Sequence, residues 1–144
     1  MHDVRFQHRR GITLPELAVA CTIIGVTSAI VVPRFSALSS RLSLRSGTYD
    51  VRTALTIARN QAVRRGELVA FVGDAARGRI RVVSGVDTLF FRDLGARGLT
   101  LALTRDSINY APNGQGWGAA NTTVTVTRRD LADTITVSRL GRVR

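Results

Sequence analysis

Lysine is absent from the 144 residues, and all 21 basic residues are arginine. A nucleotide-hydrolase phosphate loop needs a lysine on the β/γ-phosphates, so that chemistry is excluded. Histidine occurs only at His2 and His8, ahead of every other motif of interest. The chain beyond them has no histidine for a Ser–His triad or for a His-ligated metal. Cys21 is the single cysteine, so no intrachain disulfide framework exists. It reads as a small apolar filler in an apolar run. Acidic residues number 10, leaving a formal charge of +11. An all-arginine complement reflects genomic base composition more readily than function, and so is no nucleic-acid signal by itself. The basic balance still favours polyanions or anionic membrane surfaces as partners.

Charge is also missing from Leu17 to Val32, and the longer stretch from Ile12 to Val32 carries only Glu16. That reaches the ~20 residues a membrane helix needs, and it has no polar face at period 3.6. A cleaved secretory signal is the competing reading. Its small-residue cleavage site would fall near Ser36-Ala37, where Pro33 and Arg34 spoil it. The basic residues Arg5, Arg9 and Arg10 come before the run and are followed by Gly11, so a cut after Gly11 would remove the basic segment and keep the apolar one. Arginines flank the run on both sides, with Arg34, Arg41 and Arg45 downstream, so charge counting leaves orientation close to a tie.

The stretch Gly11-Ile12-Thr13-Leu14-Pro15-Glu16-Leu17 resembles the prepilin processing site of type IV pilins and type II secretion pseudopilins. The resemblance implies cleavage after Gly11 by a membrane prepilin peptidase and methylation of the new amine on Ile12. It makes Glu16 the fifth mature residue and gives Pro33 the place of a common helix-kinking proline. Ile12 stands where Phe or Met is usual, and Pro15 where Ile is more frequent. The same resemblance puts the short amino-terminal segment in the cytoplasm and the head in the periplasm, on a single pass of the bacterial inner membrane. A carboxylate in a bilayer costs about 2.5–3.5 kcal/mol and is kept when it has a partner. A new amine at Ile12, one turn from Glu16, would be that partner, within the subunit or between stacked subunits, where the pair sets axial register.

Beyond Pro33 the apolar spacing turns amphipathic. Leu38 and Leu42 lie at i, i+4, and Val51, Leu55, Ala58 and Ala62 form one stripe. Arg64 and Arg65 close a last turn and Gly66 supplies a C-cap. Gly47 is expected to bend or loosen the helix. One helix is predicted from about Ile12 to Arg65, about 80 Å long if straight. The period then drops to two. Short strands are predicted at Leu68–Val72, Arg79–Val83, Thr88–Phe91, Leu99–Leu103, Thr122–Thr127 and Thr134–Ser138, the last two joined across "RRDLAD". The expected divisions are a leader (1–11), a transmembrane half-helix (12–33), an amphipathic half-helix (34–66) and a β-rich head (67–144).

The head narrows the resemblance. "VRTALTIARNQAVRRGELVAFV", "INYAPNGQGWG" and the ending "TITVSRLGRVR" are similar to segments of the GspH/FimT group of minor pseudopilins. This implies an α+β, type IV pilin-like fold: a long helix packed on an antiparallel β-rich head. It implies no enzyme activity and no cofactor or metal, and partners among other pilins, membrane lipid and the peptidase. Some members of the group serve DNA uptake and bind DNA through terminal arginines. Here those would be Arg139, Arg142 and Arg144. In an extended chain Arg142 and Arg144 point the same way, ~6.5–7 Å apart, near the scale of neighbouring phosphates. Arg139 shares their parity only if the strand breaks at Gly141. Trp117 or Tyr110 would add stacking if near. "NGQGWG" opens no helix and reads as a loop. Asp130 and Asp133 read as a hairpin turn, and no dense acidic cluster suits calcium. Three functions stay open: a structural subunit of a secretion pseudopilus or pilus, a DNA-binding minor pilin, and a membrane-anchored periplasmic binding domain that never assembles.

Overall fold

The computed structural model describes residues 11–117 and 121–144. Arg5, Arg9 and Arg10, and Gly118 at the end of "NGQGWG", lie outside that range. Helix α1 (Leu14–Arg65) is 52 residues long, close to the expected span. The chain divides into two compact units, residues 1–37 and 38–144. The helical assignment continues through position 33. The kink expected at Pro33 falls on a residue outside the described side chains.

In the first unit the helix is exposed on all sides, with Leu17, Val19, Ile23, Ile24, Val26, Ile30, Val31 and Val32 each more than half accessible. Its window of 18 residues is long and apolar enough to cross a membrane. The Thr22 hydroxyl donates to the Ala18 carbonyl at 2.8 Å, and that of Thr27 to the Ile23 carbonyl at 2.8 Å. Hydroxyls satisfied within their own helix need no water, which suits a segment in hydrocarbon.

The second unit holds the core. The α1 stripe Val51, Leu55, Ala58 and Ala62 is fully buried, as its spacing predicts. Leu38 and Leu42 are not part of it; both are more than half exposed. The stripe instead continues through Ser40, Leu44, Gly47 and Thr48. The helical assignment runs unbroken through Gly47. A Cβ at that position would lie 2.6 Å from Leu99 Cδ1 and 3.4 Å from Val126 Cγ1. Gly47 therefore gives the sheet residues room to press against the helix backbone.

Among the described residues eight strands follow: β1 (Val69–Asp74), β2 (Arg79–Ser84), β3 (Asp87–Asp93), β4 (Thr100–Leu103), β5 (Ser107–Tyr110), β6 (Gly116–Trp117), β7 (Thr122–Arg128) and β8 (Leu131–Val137). They form two antiparallel sheets, ordered β3-β2-β1-β5-β6 and β4-β7-β8. Inward residues alternate along each strand: Phe71 on β1, Ile80 and Val82 on β2, Ile108 and Tyr110 on β5, Val124 and Val126 on β7, Ile135 and Val137 on β8. All join the α1 stripe in one cluster. The β7–β8 hairpin is tighter than "RRDLAD" suggests. Arg128 pairs with Leu131, leaving Arg129 at φ 51° and Asp130 as the turn. Leu94 is fully buried just before a short 3₁₀ turn at Gly95–Arg97. No periodicity marks it, because a lone leucine at a strand end carries no pattern.

Replacing Leu55 by alanine should cost about 2–5 kcal/mol through lost burial and a cavity. Leu42→Ala should stay within about 0.5 kcal/mol for the unassembled protein. Urea unfolding of the detergent-solubilised chain, followed by circular dichroism, measures both. Equal losses at the two positions would contradict the helix orientation described here.

Candidate functional site

Two ends of the chain carry the candidate residues. At the first, Thr13 immediately precedes α1 and Glu16 is its third helical residue. The Thr13 backbone N–H donates to Glu16 Oε2 at 3.4 Å, and the Thr13 hydroxyl lies 3.5 Å from the same oxygen. The Leu17 N–H reaches the Thr13 carbonyl at 3.1 Å. This is half of a capping box: a Glu reaching back to the N-cap amide, which has no partner inside the helix. Pro15 costs nothing in the first turn, where its missing N–H would be unpaired anyway. A negative charge there also complements the helix dipole. The T-x-x-E spacing is the signal of this cap in the sequence. Gly11 and Ile12 are exposed ahead of the cap.

At the second end the chain turns back after β8. The Gly141 N–H donates to the Ser138 carbonyl at 2.9 Å, and the Ser138 N–H to the Arg142 carbonyl at 2.9 Å. Thr136 and Arg144 exchange both backbone bonds, at 3.1 and 2.9 Å, around a Val137–Val143 bridge. Val143 packs on the core, so Arg142 and Arg144 take the opposite, exposed side. The shared parity expected of them holds. Arg139 is exposed too but belongs to the turn, so it does not extend their row.

The turn is clamped from behind. Gly141 sits at φ 71°, and a Cβ there would lie 2.7 Å from the Gly114 carbonyl oxygen and 3.1 Å from the Tyr110 ring. The Gly116 N–H donates to the Arg139 carbonyl at 3.3 Å. From the helix, Arg59 Nε donates to the Gly114 carbonyl at 3.0 Å. Tyr110 is buried beneath this junction, and its hydroxyl has no hydrogen-bond partner among the described residues. Burial pushes its pKa up to about 12, against the opposing pull of Arg59. Tyr110 is therefore a buried wedge and offers no stacking surface. Trp117 is exposed on β6.

Other arginines are spent on structure. Arg97 donates to Asp50 and to Ser46 on α1, and Arg128 to the Arg97 carbonyl. Arg79 pairs with Asp93 at 2.9 Å. The Asp93 carboxyl is held below its usual pKa first by the Ala96 N–H and then by Arg79. Asp130 and Asp133 lie at the hairpin, the latter accepting from the Thr134 N–H at 2.9 Å. Among the described residues no His, Cys, Asp or Glu cluster is placed to hold a metal.

A lone apolar helix leading into a helix-backed antiparallel head defines a type IV pilin-like subunit. A family model described as type II transport protein GspH matches residues 48–141, and the chain belongs to that family. Among solved structures, the type IV minor pilin FimU of Pseudomonas aeruginosa is similar at a TM-score of 0.64 and 18% identity. That match covers 74% of this chain and 90% of FimU. The minor pseudopilin EpsH of the Vibrio cholerae type 2 secretion system aligns at a TM-score of 0.53 and 14% identity. It covers 74% of this chain and 94% of EpsH. At these identities the likeness carries the fold. No curated protein matches the sequence. With the family, the fold makes the protein a structural subunit of a type II secretion pseudopilus or a type IV pilus.

Gly141→Ala tests the clamp. Its left-handed backbone costs an alanine about 1–2 kcal/mol before any clash, and the clash is with a backbone oxygen. The Ser138 and Arg144 amides should lose hydrogen-exchange protection while those of β1 and β2 keep theirs. Unchanged protection at Ser138 and Arg144 would show that the clamp does not hold the terminal strand.

Proposed function

We propose that this subunit is anchored by one pass of the bacterial inner membrane, with its head in the periplasm, and that it enters the filament after cleavage by the prepilin peptidase. The carrying observation is the first half of α1: apolar and exposed on every side, with Glu16 as its one carboxylate before Arg34. Such a surface is costly in water and stable only in lipid or among like helices. Cleavage after Gly11 frees a methylated amine on Ile12. Thr13 survives as the second mature residue, so the cap on Glu16 is retained. Before assembly the carboxylate is held by Thr13 and the nearby amine. In the filament it pairs with a neighbouring subunit's amine and sets axial register. Pro33 serves as the kink between the lipid-facing and head-facing parts. Processing and assembly are tested together in cells with and without the peptidase. Intact mass should show loss of residues 1–11 and one added methyl only when the peptidase is present. That loss removes Arg5, Arg9, Arg10 and Asp3 and takes the formal charge from +11 to +9. Glu16→Ala should still be membrane-inserted, because an apolar residue costs less in lipid. Its crosslinks to other pilins should fall to background. An unprocessed Met1 start in both strains, or undiminished crosslinking of Glu16→Ala, would sink the assignment.

A second reading, DNA binding by an uptake-type minor pilin, is favoured by the exposed, same-side Arg142 and Arg144 on a clamped strand. Phosphate contacts by arginine are sequence-independent and salt-sensitive, with a slope near −0.9 per phosphate neutralised. The full-length protein in nanodiscs of zwitterionic lipid should bind mixed-sequence duplex DNA weakly. Replacing Arg142 and Arg144 together by Gln should weaken binding and flatten the salt slope. Replacing Arg52 and Arg64, both exposed on α1, should do much less. Equal losses from the two pairs would mean diffuse attraction to a basic chain.

A further inference from the structure

The exposed side of α1 within the second unit carries two parallel rows. Leu38, Leu42 and Tyr49 fall at i, i+4 and i+11, and each is more than half accessible. Arg41, Arg45 and Arg52 repeat the same spacing three residues further on, and all three are exposed. A shift of three residues is ~60° around the helix, so the rows run side by side over about 21 Å. Both lie off the buried stripe of Leu44, Val51, Leu55, Ala58 and Ala62. The arginine row ends at Arg59, whose Nε is turned to the Gly114 carbonyl. Elsewhere Arg65, Arg77, Arg79, Arg92 and Arg97 each face a carboxylate. Among the described residues Arg41, Arg45 and Arg52 make no ion pair. From Arg34 to Arg65 the helix has one carboxylate, Asp50, and Arg92 and Arg97 already hold it. The face is therefore apolar along one row and carries charge of a single sign along the other.

We propose that this face docks on anionic phospholipid headgroups of the membrane that anchors the chain. The guanidiniums meet lipid phosphates, and Leu38, Leu42 and Tyr49 enter the boundary with the acyl chains. The proposal rests on the anchoring reading of the apolar half-helix. Charge complementarity and continuity select the occupant. Leu38 follows Val32, the end of the apolar run, by six residues. The bilayer surface is thus tethered within reach, and docking is an intramolecular event. Arginine stems lie along apolar surface while their heads stay on phosphate, and a tyrosine ring suits the same boundary. A second copy brings the same formal surplus of +11 and repels the row. A nucleic acid would pair the arginines and leave the leucines in water. A docked subunit keeps this face off other pilins until the lipid contact is released.

An environment-sensitive fluorophore on Leu42→Cys, in a Cys21→Ser background, reads the docked state. The full-length chain is placed in nanodiscs of zwitterionic lipid, alone or with added phosphatidylglycerol. A control label sits at Val86→Cys, on the fully exposed turn between β2 and β3. In anionic discs the label at position 42 should shift to the blue and be shielded from acrylamide. In zwitterionic discs it should match the label at position 86, and high salt should reverse the anionic shift. Each arginine at an anionic surface favours docking about fivefold. Arg41→Gln, Arg45→Gln and Arg52→Gln together should therefore abolish the shift, whereas the three changes to Lys should keep it because the charge is retained. Equal shielding in both lipids, or shielding that survives the three glutamines, overturns the proposal. Shielding that appears only when other pilins are added makes the face a protein-docking surface and overturns it too. If no shielding appears although the chain resists alkaline extraction from membranes, docking is refuted and the anchor stands. If alkaline extraction releases the chain, the anchoring reading falls and docking falls with it.

Discussion

One seam of small side chains on α1 allows a single helix to close two sheets. Ser40, Gly47, Ala54, Ala58 and Ala62 are buried along the same stripe as Leu44, Val51 and Leu55. At Gly47 the helix backbone meets Leu99 and Val126 from the second sheet. The remaining large side chains come from the sheets: Phe71, Ile80 and Tyr110 from one, Val124, Ile135 and Val137 from the other. Helix and sheets thus interdigitate with the bulk on the sheet side, which is how close packing is reached without overfilling. Large residues in the seam would force both sheets off the helix, because residues of both join the helix stripe in one cluster.

The second constraint ties the sheets to each other. The β6 side of the first sheet and the return strand of the second meet at Gly114, Gly116, Arg139 and Gly141, and Arg59 fastens the same loop to α1. Three elements distant in sequence share one glycine-lined junction. The terminal arginines inherit their rigidity from it. A free arginine-ended tail loses much entropy on holding a ligand; a strand fixed by two backbone bonds to Thr136 has already lost most of that freedom.

Much of this was legible in the sequence, and the failures have physical causes. The helix limits followed from the length of the apolar run, the Arg64-Arg65 last turn and Gly66, which does take a left-handed backbone at φ 68°. Six strands followed from period-two alternation; β5 and β6 did not, because strands of four and two residues are too short to show a period, and Gly116–Trp117 pairs as β6 inside a stretch expected to be a loop. The exposure of Leu38 and Leu42 could not be read from their i, i+4 spacing, because a helix in an assembling protein bears apolar residues on more than one side and spacing cannot say which side meets its own head. The packing role of Gly47 was not legible because propensity describes an isolated helix, whereas the contact with Leu99 is long-range. Leu94 and the Gly114–Gly141 junction escaped for the same reason: they are tertiary contacts with no local period. The parity of Arg142 and Arg144 was readable, since alternation is local; their pairing with Thr136 was not.

On the assembly role proposed for Glu16, local and assembly demands coincide in one side chain. At the third helical position its carboxylate reaches the Thr13 amide, and on the proposed cleavage after Gly11 it would stand one turn from the new amine of Ile12. The cap is long, at 3.4 Å, and exposed, so its worth lies at the low end of capping contributions, which run from about 0.5 to 2 kcal/mol. A charge-assisted bond to a neighbour's amine in a water-poor filament core is stronger than a neutral one. The balance therefore favours exchange over permanent capture. On that proposal, a weak internal partner would keep the carboxylate tolerable in the membrane and let it go when a better one arrives. A tight internal ion pair would do the first and prevent the second.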